Sequence, residues 1–462
     1  MLKVYNTSSK KKEKFIPIDP NNIKIYVCGM TVYDYCHIGH ARVLVMFDVI
    51  VRHLKRCYKN VTYVRNITDI DDKIINCANK NKEDIFSLTK RFIAEMHKDE
   101  KSLTINPPDI EPKATDYVDQ MLYLIKSLQD NNLAYKAANG DIYFSVRNFK
   151  KYGKLANKTL DELKSGARVD IDSTKLDPLD FVLWKSAKPN EPSWSSPWGK
   201  GRPGWHIECS AMSTHLLGNN FDIHGGGADL IFPHHENEIA QSEGAHGGKF
   251  VNYWIHVGFV NINNEKMSKS LNNFFTIRDI LKSYSGEVLR YFIISSHYRS
   301  PLNFNDSNLK SAQSALTKLY IAIKDLSADE ASMNEISQQY DYEYKFISAL
   351  NDDFNTPIAI SVLFEIAKEI NKNRDNDIAK ASALARLLII LGGYIGILQT
   401  DVNTFLKQGI LLADVEIERK IAERNKARKN KDFALSDKIR DELKSKNIAL
   451  EDNPTGTSWR RL

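Results

Sequence analysis

Two short stretches of the chain carry side chains suited to holding phosphate. The first, His37-Ile38-Gly39-His40, sets two imidazoles around a glycine. Imidazoles can donate hydrogen bonds to phosphate oxygens as negative charge builds in a transition state, and the glycine lets an adenine or ribose approach the backbone. The second, Lys266-Met267-Ser268-Lys269-Ser270, puts two ammonium groups on what should be a flexible, serine-containing loop. Lysines there can neutralise a pyrophosphate leaving group, and a mobile loop can close over ATP and then release product. Taken singly, each has an ordinary alternative: a four-residue HxGH string arises by chance, and a Lys/Ser-rich loop is usually solvated surface. Together, in this order, they leave little room for chance.

The elements around them support that pairing. Ile23 to Gly29 is mostly apolar and β-branched and breaks at glycine, as a buried strand ending in a turn does. From His40 onward, Ala41, Val43, Leu44, Phe47, Val51 and Leu54 fall at helical spacing, and Val61 to Ile67 reads as a second strand. Strand, turn, helix, strand is the βαβ unit of a doubly wound parallel sheet, and its first turn is where such sheets bind nucleotides. Ala134 to Arg202 mixes short strand-like pieces (141–146) with Lys, Gly, Pro and Trp, as an inserted subdomain would. The α/β pattern resumes with strand candidates at 221–224 and 253–257, each followed by glycine. From about Asn308 to Gln399 apolar residues such as Ala359, Val362, Leu363, Ile366 and Ile370 recur at helical intervals, which predicts a helical bundle. Beyond it, Ile417 with Ile421, and Leu435 with Ile439 and Leu443, mark two basic amphipathic helices ahead of a tail containing Trp459-Arg460-Arg461.

A chain of 462 residues, 42% hydrophobic and 26% charged, can bury a large core and should form two or more domains. No stretch reaches the roughly 18 uninterrupted apolar residues of a membrane span, and no apolar run follows Lys10 to Lys14 to make a secretory signal. Cys28, Cys36, Cys57, Cys77 and Cys209 are too few and too irregular for a disulfide framework, so a reducing cytoplasm is the expected location. The net charge of +6 is concentrated: Arg419 to Lys446 holds eleven Lys/Arg against five Asp/Glu, so a polyanion is to be sought there.

With HIGH and KMSKS both present without substitution, the chain resembles the class I aminoacyl-tRNA synthetases. The resemblance implies ATP-dependent adenylation of an amino acid, with Mg2+, and transfer to the end of a tRNA. His37, His40, Lys266 and Lys269 would then be transition-state stabilisers, and His37, Gly39, His40, Gly225, Gly226, Lys266, Ser268 and Lys269 would contact ATP. Gly225, Gly226 and Gly227 could equally form a tight turn. The implied fold is a Rossmann-like catalytic domain in two halves (1–133 and 203–307) around a connective insertion (134–202). A helical bundle (308–405) and a small anticodon-binding module (406–462) would follow.

Four further segments are similar to the cysteinyl branch of these enzymes: Tyr26 to Asp34, Asn66 to Lys73, Pro203 to Met212 and His224 to Glu238. That branch binds one zinc ion, and the resemblance carries its ligands onto Cys28, Cys209, His234 and Glu238. Spacing alone would not find this site, because Cys28 and Cys209 lie far apart and nothing has the local pairing of a zinc finger. The one local hint is His234 with Glu238 after Pro233, since proline suits a first helical turn and residues four apart share a face. Without the resemblance, a structural histidine and a solvent-facing glutamate would be the better reading, and His235 to Glu238 is not HExxH. The chemistry gives a reason for a metal: cysteine and serine differ by sulfur for oxygen, a contrast an apolar pocket resolves poorly, whereas zinc binds thiolate readily and a neutral alcohol poorly. An editing site would then be unnecessary. Thr68 and Asp229 are candidates for the substrate ammonium group, Trp205 for a wall against its side chain and His224 for a polar contact, with Gly29 and Thr31 flanking the metal-bearing turn. For each a structural role competes.

The basic C-terminal segment resembles the family's anticodon-binding module over Asp432 to Arg440 and Asp452 to Trp459, with Trp459 a candidate for stacking on an unpaired base and Arg460 for phosphate. A solvated basic helix is the commoner meaning of such a charge run. The implied partners are L-cysteine, ATP and a cysteine-specific tRNA, with no membrane, and the implied assembly is a monomer. Two other readings stand beside this one. A related ligase joins activated cysteine to an amino-sugar but would lack a complete anticodon module, and a non-catalytic RNA-binding paralogue would be free to lose its signature residues. Lys269→Ala should slow adenylate formation far more than it weakens tRNA binding; equal losses in pre-steady-state activation and in tRNA affinity would argue against the leaving-group role.

Overall fold

The computed structural model describes residues 1–166, 174–189, 191–266, 274–326, 341–407, 414–446, 448–453 and 456–461. An antiparallel hairpin of β1 (Lys3–Asn6) and β2 (Lys11–Lys14) precedes the central unit. β3 (Ile23–Val27), α1 (Ile38–Cys57) and β4 (Val61–Arg65) form the βαβ unit read from the sequence, with β3 and β4 in parallel register from Ile23↔Val61 to Val27↔Arg65. Both strands stop earlier than their apolar runs suggest, because residues beyond Val27 and Arg65 leave the regular ladder to build the site. Helices α2 (Asp72–Asn81), α3 (Ile85–Ser102) and α4 (Val118–Asp130) lead into a separate antiparallel sheet of β5 (Ala134–Lys136), β6 (Ile142–Phe144), β7 (Phe181–Ser186) and β8 (Gly201–Pro203), with α5 (Leu160–Gly166) between β6 and β7.

The chain then returns through α6 (Trp205–Leu217), β9 (Phe221–Gly227), α7 (Glu236–His246) and β10 (Val251–Val257). The resulting parallel sheet has the order β10-β9-β3-β4. β3 therefore has its sequence neighbour β4 on one side and the distant β9 on the other. The carboxyl ends of β3 and β9 open a crevice at this switch in strand order, which is where open α/β sheets take ligands. The pleat sends Ile23, Ile25 and Val27 into one apolar core with α1, and Tyr26 and Cys28 into a second core with α4 and α6. Helices thus cover both faces, as a doubly wound sheet requires.

β11 (Val260–Ile262), β12 (Glu265–Lys266), α8 (Ile277–Leu281), α9 (Gly286–Ile294) and β13 (Leu302–Phe304) connect this domain to a helical bundle. The bundle comprises α10 (Asp306–Ile323), α11 (Tyr342–Asn351), α12 (Thr356–Asn373), α13 (Ile378–Tyr394) and α14 (Val402–Lys407). Its core is continuous with the α1 side of the sheet. The last module packs α15 (Asp414–Lys429) and α16 (Phe433–Ser445) on a hairpin of β14 (Ile448–Asn453) and β15 (Gly456–Arg461), around its own core of Ile417, Ile421, Ile439, Leu443, Ile448 and Trp459. The segment expected to be a tail is thus a strand.

Arg290 of α9 crosses from the bundle into the catalytic domain while fully buried. It donates to Ile395 O (2.8 Å) and Leu103 O (3.0 Å) and pairs with Asp48 of α1. Losing one member of a buried ion pair typically costs about 3–5 kcal/mol because a charge and its hydrogen-bond partners are left dry. Arg290→Ala should therefore lower stability by about that amount, read as a reduced urea midpoint for the catalytic domain.

Candidate active site and metal centre

The carboxyl end of β3 supplies the first metal donor. Cys28 follows the pleat to the α6 side of the sheet, and its amide donates to Gly225 O of β9 at 3.0 Å. Gly29 is required by a close approach: a Cβ there would stand 1.6 Å from Asn66 O, and its N–H donates to Asn66 Oδ1 at 2.8 Å. Thr68 N–H then donates to Met30 O (3.1 Å) and Val32 N–H to Thr68 O (3.2 Å), so the two segments beyond the strands hold each other in place.

Cys209, in the second turn of α6, brings its Sγ to 3.6 Å from Cys28 Sγ. Phe232 is extended (φ −140°, ψ 133°), and the helical turn after it runs into α7, so that His234 and Glu238 meet with Nε2 3.1 Å from Oε1. Cys28 Sγ lies 3.4 Å from the same Oε1. Around one tetrahedral ion, sulfurs at about 2.3 Å would be about 3.8 Å apart, and nitrogen and oxygen at about 2.0–2.1 Å would be about 3.4 Å apart. The separations of 3.6 and 3.1 Å lie within about 0.3 Å of these values, and all four donor atoms are within 4.8 Å of one another, so the quartet is spaced to take such an ion. A second quartet, Cys28, His224, His235 and Glu238, also has its donor atoms within 4.8 Å of one another. In that set His224 Nε2 is 2.8 Å from Glu238 Oε2, and His235 holds Nε2 3.3 Å from Cys28 Sγ while its Nδ1 is 2.7 Å from His256 Nε2, so both rings stand against donors of the first quartet.

The charges match a cation. Burial would raise the Cys209 thiol, but the Cys28 thiol and the His234 ring beside it outweigh burial and bring it down to about 6. Burial and the neighbouring Cys209 push Cys28 up. Burial alone would lower His234, yet Glu238 and Cys209 raise it to about 10. Glu238 is held well below the carboxylate range by His224 and His234 in spite of burial. Desolvation keeps His206, His235 and His256 neutral, the last pushed down to about 3. Within the quartet Cys209 is then a thiolate, Glu238 a carboxylate and His234 an imidazolium, whose proton supplies the positive charge that a metal would.

At the opposite end of the crevice His37 is the N-cap of α1. Its Nδ1 accepts from Gly39 N–H (3.1 Å) and His40 N–H (3.3 Å), while His40 Nδ1 accepts from His37 N–H (3.3 Å) in a reciprocal capping box. The rings stack with centroids 3.6 Å apart. A ring that accepts at Nδ1 and is neutral must carry its proton on Nε2. The cap therefore fixes the tautomer that makes each Nε2 a donor at the positive end of a helix. Phe274 packs on His37 (5.0 Å) and Ile38 N–H donates to Phe275 O (3.1 Å), so the chain returning from the lysine-rich segment is tied to this cap. Lys266 ends β12, paired with Asn261. Ser268 and Lys269 lie outside the described residues.

One cavity of about 530 Å³ joins the two ends. Cys28, Gly29, Thr31, Trp205 and Asp229 line it near the metal donors, and His37, Gly39 and His40 line it at the α1 end. Trp205 packs at a tilt against His234 with centroids 4.4 Å apart and lines the cavity beside Cys28. Other sequence candidates stand elsewhere. Thr68 is buried off the cavity wall, where its hydroxyl donates to Glu208 Oε2 (2.9 Å). His224 lies behind Glu238, stacked on Trp254. The three glycines are strand residues rather than a tight turn. Gly227 lines the cavity, whereas a Cβ on Gly225 would stand 2.2 Å from Phe47 Cζ and one on Gly226 2.9 Å from Leu230 Cδ1, so both serve close packing.

The expectation that Trp459 stacks on an unpaired base is corrected by its position. It is 4% exposed inside the last module, its Nε1 donates to Glu418 Oε1 (2.7 Å), and Arg460 pairs with Glu451 (2.9 Å). The exposed aromatic of that module is Phe433. Sequence reasoning did not find His206, whose Nδ1 is 2.9 Å from His234 Nδ1, nor Asn66, His235 and His256, because nothing in their spacing links them to the donors.

The family "tRNA synthetases class I (C) catalytic domain" matches residues 14–314, and the DALR domain family matches residues 345–399. The chain is 57% identical to a cysteine–tRNA ligase of Thioalkalivibrio sulfidiphilus and 56% identical to one of Methylococcus capsulatus, each match covering 100% of both chains. Among solved structures it is similar to a methionyl-tRNA synthetase of Mycobacterium tuberculosis in complex with methionyl-adenylate, with TM-score 0.57 and 13% identity over 84% of this chain and 91% of that one. A putative arginyl-tRNA synthetase of Campylobacter jejuni gives TM-score 0.54 and 14% identity over 83% of this chain and 94% of that one. At such identities these two likenesses concern the fold alone.

The cap and the donor role of His37 can be separated. His37→Ala should cost about 1 kcal/mol through loss of the N-cap, whereas His37→Asn, which still accepts from the first-turn amides, should remain within about 0.5 kcal/mol of the parent. Thermal unfolding of the two variants checks this.

Proposed function

The chain belongs to the cysteine–tRNA ligases, within the class I aminoacyl-tRNA synthetases, and we propose that its 530 Å³ cavity holds cysteine and ATP end to end, with the reacting atoms between the metal donors and the α1 cap. As a member of that family it is an ATP-dependent enzyme that activates L-cysteine and joins it to the 3′ end of its tRNA. The observation that carries the site assignment is the single cavity with Cys28 and Trp205 at one end and His37, Gly39 and His40 at the other.

In this reading the substrate carboxylate attacks the α-phosphorus of ATP, forming the mixed anhydride as the bond to pyrophosphate breaks. His37 and His40 donate from Nε2 to phosphate oxygens as their charge rises, aided by the α1 dipole. Lys266 and Lys269 neutralise the departing pyrophosphate. A tRNA terminal hydroxyl then attacks the carbonyl carbon and AMP leaves, so neither step needs a protein nucleophile. Asp229 at the cavity mouth accepts from the substrate ammonium, and Trp205 closes the side-chain end against water.

Cys28, Cys209, His234 and Glu238 would hold zinc, an ion suited to a set of sulfur, nitrogen and oxygen donors. When bound it supplies a centre that takes a thiolate readily and a neutral alcohol poorly. The bundle and the basic last module face the tRNA, with the excess charge of α15 and α16 directed at phosphate. A monomer is supported by every donor and both motifs lying in one chain. A cytoplasmic location is supported by five free cysteines. Among the described residues no helix is long and apolar enough to cross a membrane.

The test is zinc-replete aminoacylation of a cysteine-specific tRNA transcript, with cysteine and serine in parallel, on the parent and Cys209→Ser. The parent should charge cysteine and reject serine. Cys209→Ser should lose metal and reduce the cysteine preference by about tenfold or more, the scale of ligand-shell changes. Full metal content and full preference in the variant would sink the assignment. A parent that exchanges pyrophosphate with cysteine but charges no tRNA would point to a different acceptor.

A further inference from the structure

Glu236 lies midway between His234 and Glu238, about 200° around the helix from each, and so faces away from the metal donors. It is fully buried. Its carboxylate accepts from the backbone N–H of Gly153 (2.8 Å) and Ala156 (2.9 Å), and the amides of Lys154 and Leu155 between them add to the stabilisation of its charge. Successive amides folded around one anion make a nest, with the carboxylate in the place of a bound ligand. The nest belongs to the segment between β6 and β7 of the four-stranded insertion. Gly153 makes the bend possible, with φ +92° and a position where a Cβ would stand 2.2 Å from Lys158 O. Tyr152, the residue before it, donates its hydroxyl to Asn237 Oδ1, next to Glu236 on α7.

A second contact joins the same two bodies. Phe181 of β7 packs edge-on against His206 (5.7 Å), whose Nδ1 is 2.9 Å from Nδ1 of the donor His234. Phe181 also stacks with Tyr152 (6.4 Å). The insertion thus grips the turn that carries His234 and Glu238 at two points, one through a buried charge and one through an aromatic ring.

We infer that Glu236 is a positioning residue of the metal centre: by fastening the 153–156 nest to the start of α7 it sets the His234–Glu238 geometry, and with it the preference for a thiol over a hydroxyl substrate. The inference rests on the metal assignment proposed above. Glutamine at this position retains the shape of the side chain but offers one acceptor oxygen, and turns an NH2 toward amide donors. The nest then loosens and the donor pair is held less tightly. Shifts at a residue that supports a ligand typically change metal affinity by about 10–100-fold.

The experiment compares parent and Glu236→Gln, each loaded with zinc or cobalt(II), by three readouts: thermal unfolding, the rate of zinc transfer to a chromogenic chelator, and the visible spectrum of the cobalt form. A folded Glu236→Gln that takes up one metal per chain should release zinc about tenfold faster, show altered cobalt bands, and lose cysteine-over-serine discrimination in pyrophosphate exchange by a similar factor. Glu236→Asp, which retains the charge on a shorter arm, should recover part of each effect. Should Glu236→Gln fail to fold, Tyr152→Phe carries the test by removing one hydrogen bond from the insertion side, with the same changes expected at smaller size. A folded variant with parental release rate and cobalt spectrum overturns the inference while the metal assignment stands. A parent that binds no metal overturns both.

Discussion

A carboxylate removed from water must be paired or it will not remain ionised. Glu238 is such a group, fully buried in α7, and the architecture around it follows from that requirement. His224 meets one of its oxygens and His234 the other, while Cys28 touches the second from β3. Meeting these contacts brings β3, β9 and the start of α7 to one point, and α6 follows through Cys209. The neutral rings of His235 and His256 continue the chain of contacts toward β10. The concentration of imidazoles is therefore a consequence of burying negative donors: each ring either partners a donor or holds one that does.

The α1 end shows a different economy. In most helices the N-cap side chain is used up in satisfying the first amides. A histidine cap spends only Nδ1 on that task, because imidazole has two nitrogens of opposite character. His37 and His40 cap one another reciprocally, and the hydrogen bonds that start the helix occupy Nδ1 of each ring. Helix initiation and the proposed phosphate contact would then share one arrangement at the strand-to-helix turn.

The larger pieces are coupled unequally. α9 carries both Arg290 and Glu287 into the bundle interface, where Glu287 accepts from Thr400 Oγ1 (2.8 Å) and Tyr320 OH (2.8 Å). With the apolar core continuous across that boundary, catalytic domain and bundle behave as one packed body. The last module has its own core, joined to α10 through Lys324 and Glu451 (2.7 Å).

The β3–α1–β4 unit, the bundle helices and the two basic helices were all legible in the sequence, because strand and helix periodicity are local and these segments bury continuous faces. The His37 to His40 motif was legible for the same reason: a turn, a cap and a glycine act within a few residues. The quartet that could hold a metal reached the sequence reading only by resemblance, since Cys28 and Cys209 are 181 positions apart. What brings them together is the strand pleat that turns Cys28 toward α6 and the strand order that sets β9 beside β3. Burial misled in the opposite direction at Trp459, which looked like a surface ring until β14 and β15 paired and folded it inward. Gly225 and Gly226, candidates to approach adenosine or to form a tight turn, lie in β9 with close neighbours at the position a Cβ would take. Local chemistry and periodicity were thus determined by the sequence itself. Which distant side chains share one buried space was decided only by tertiary packing, because charge pairing and desolvation depend on neighbours in space rather than along the chain.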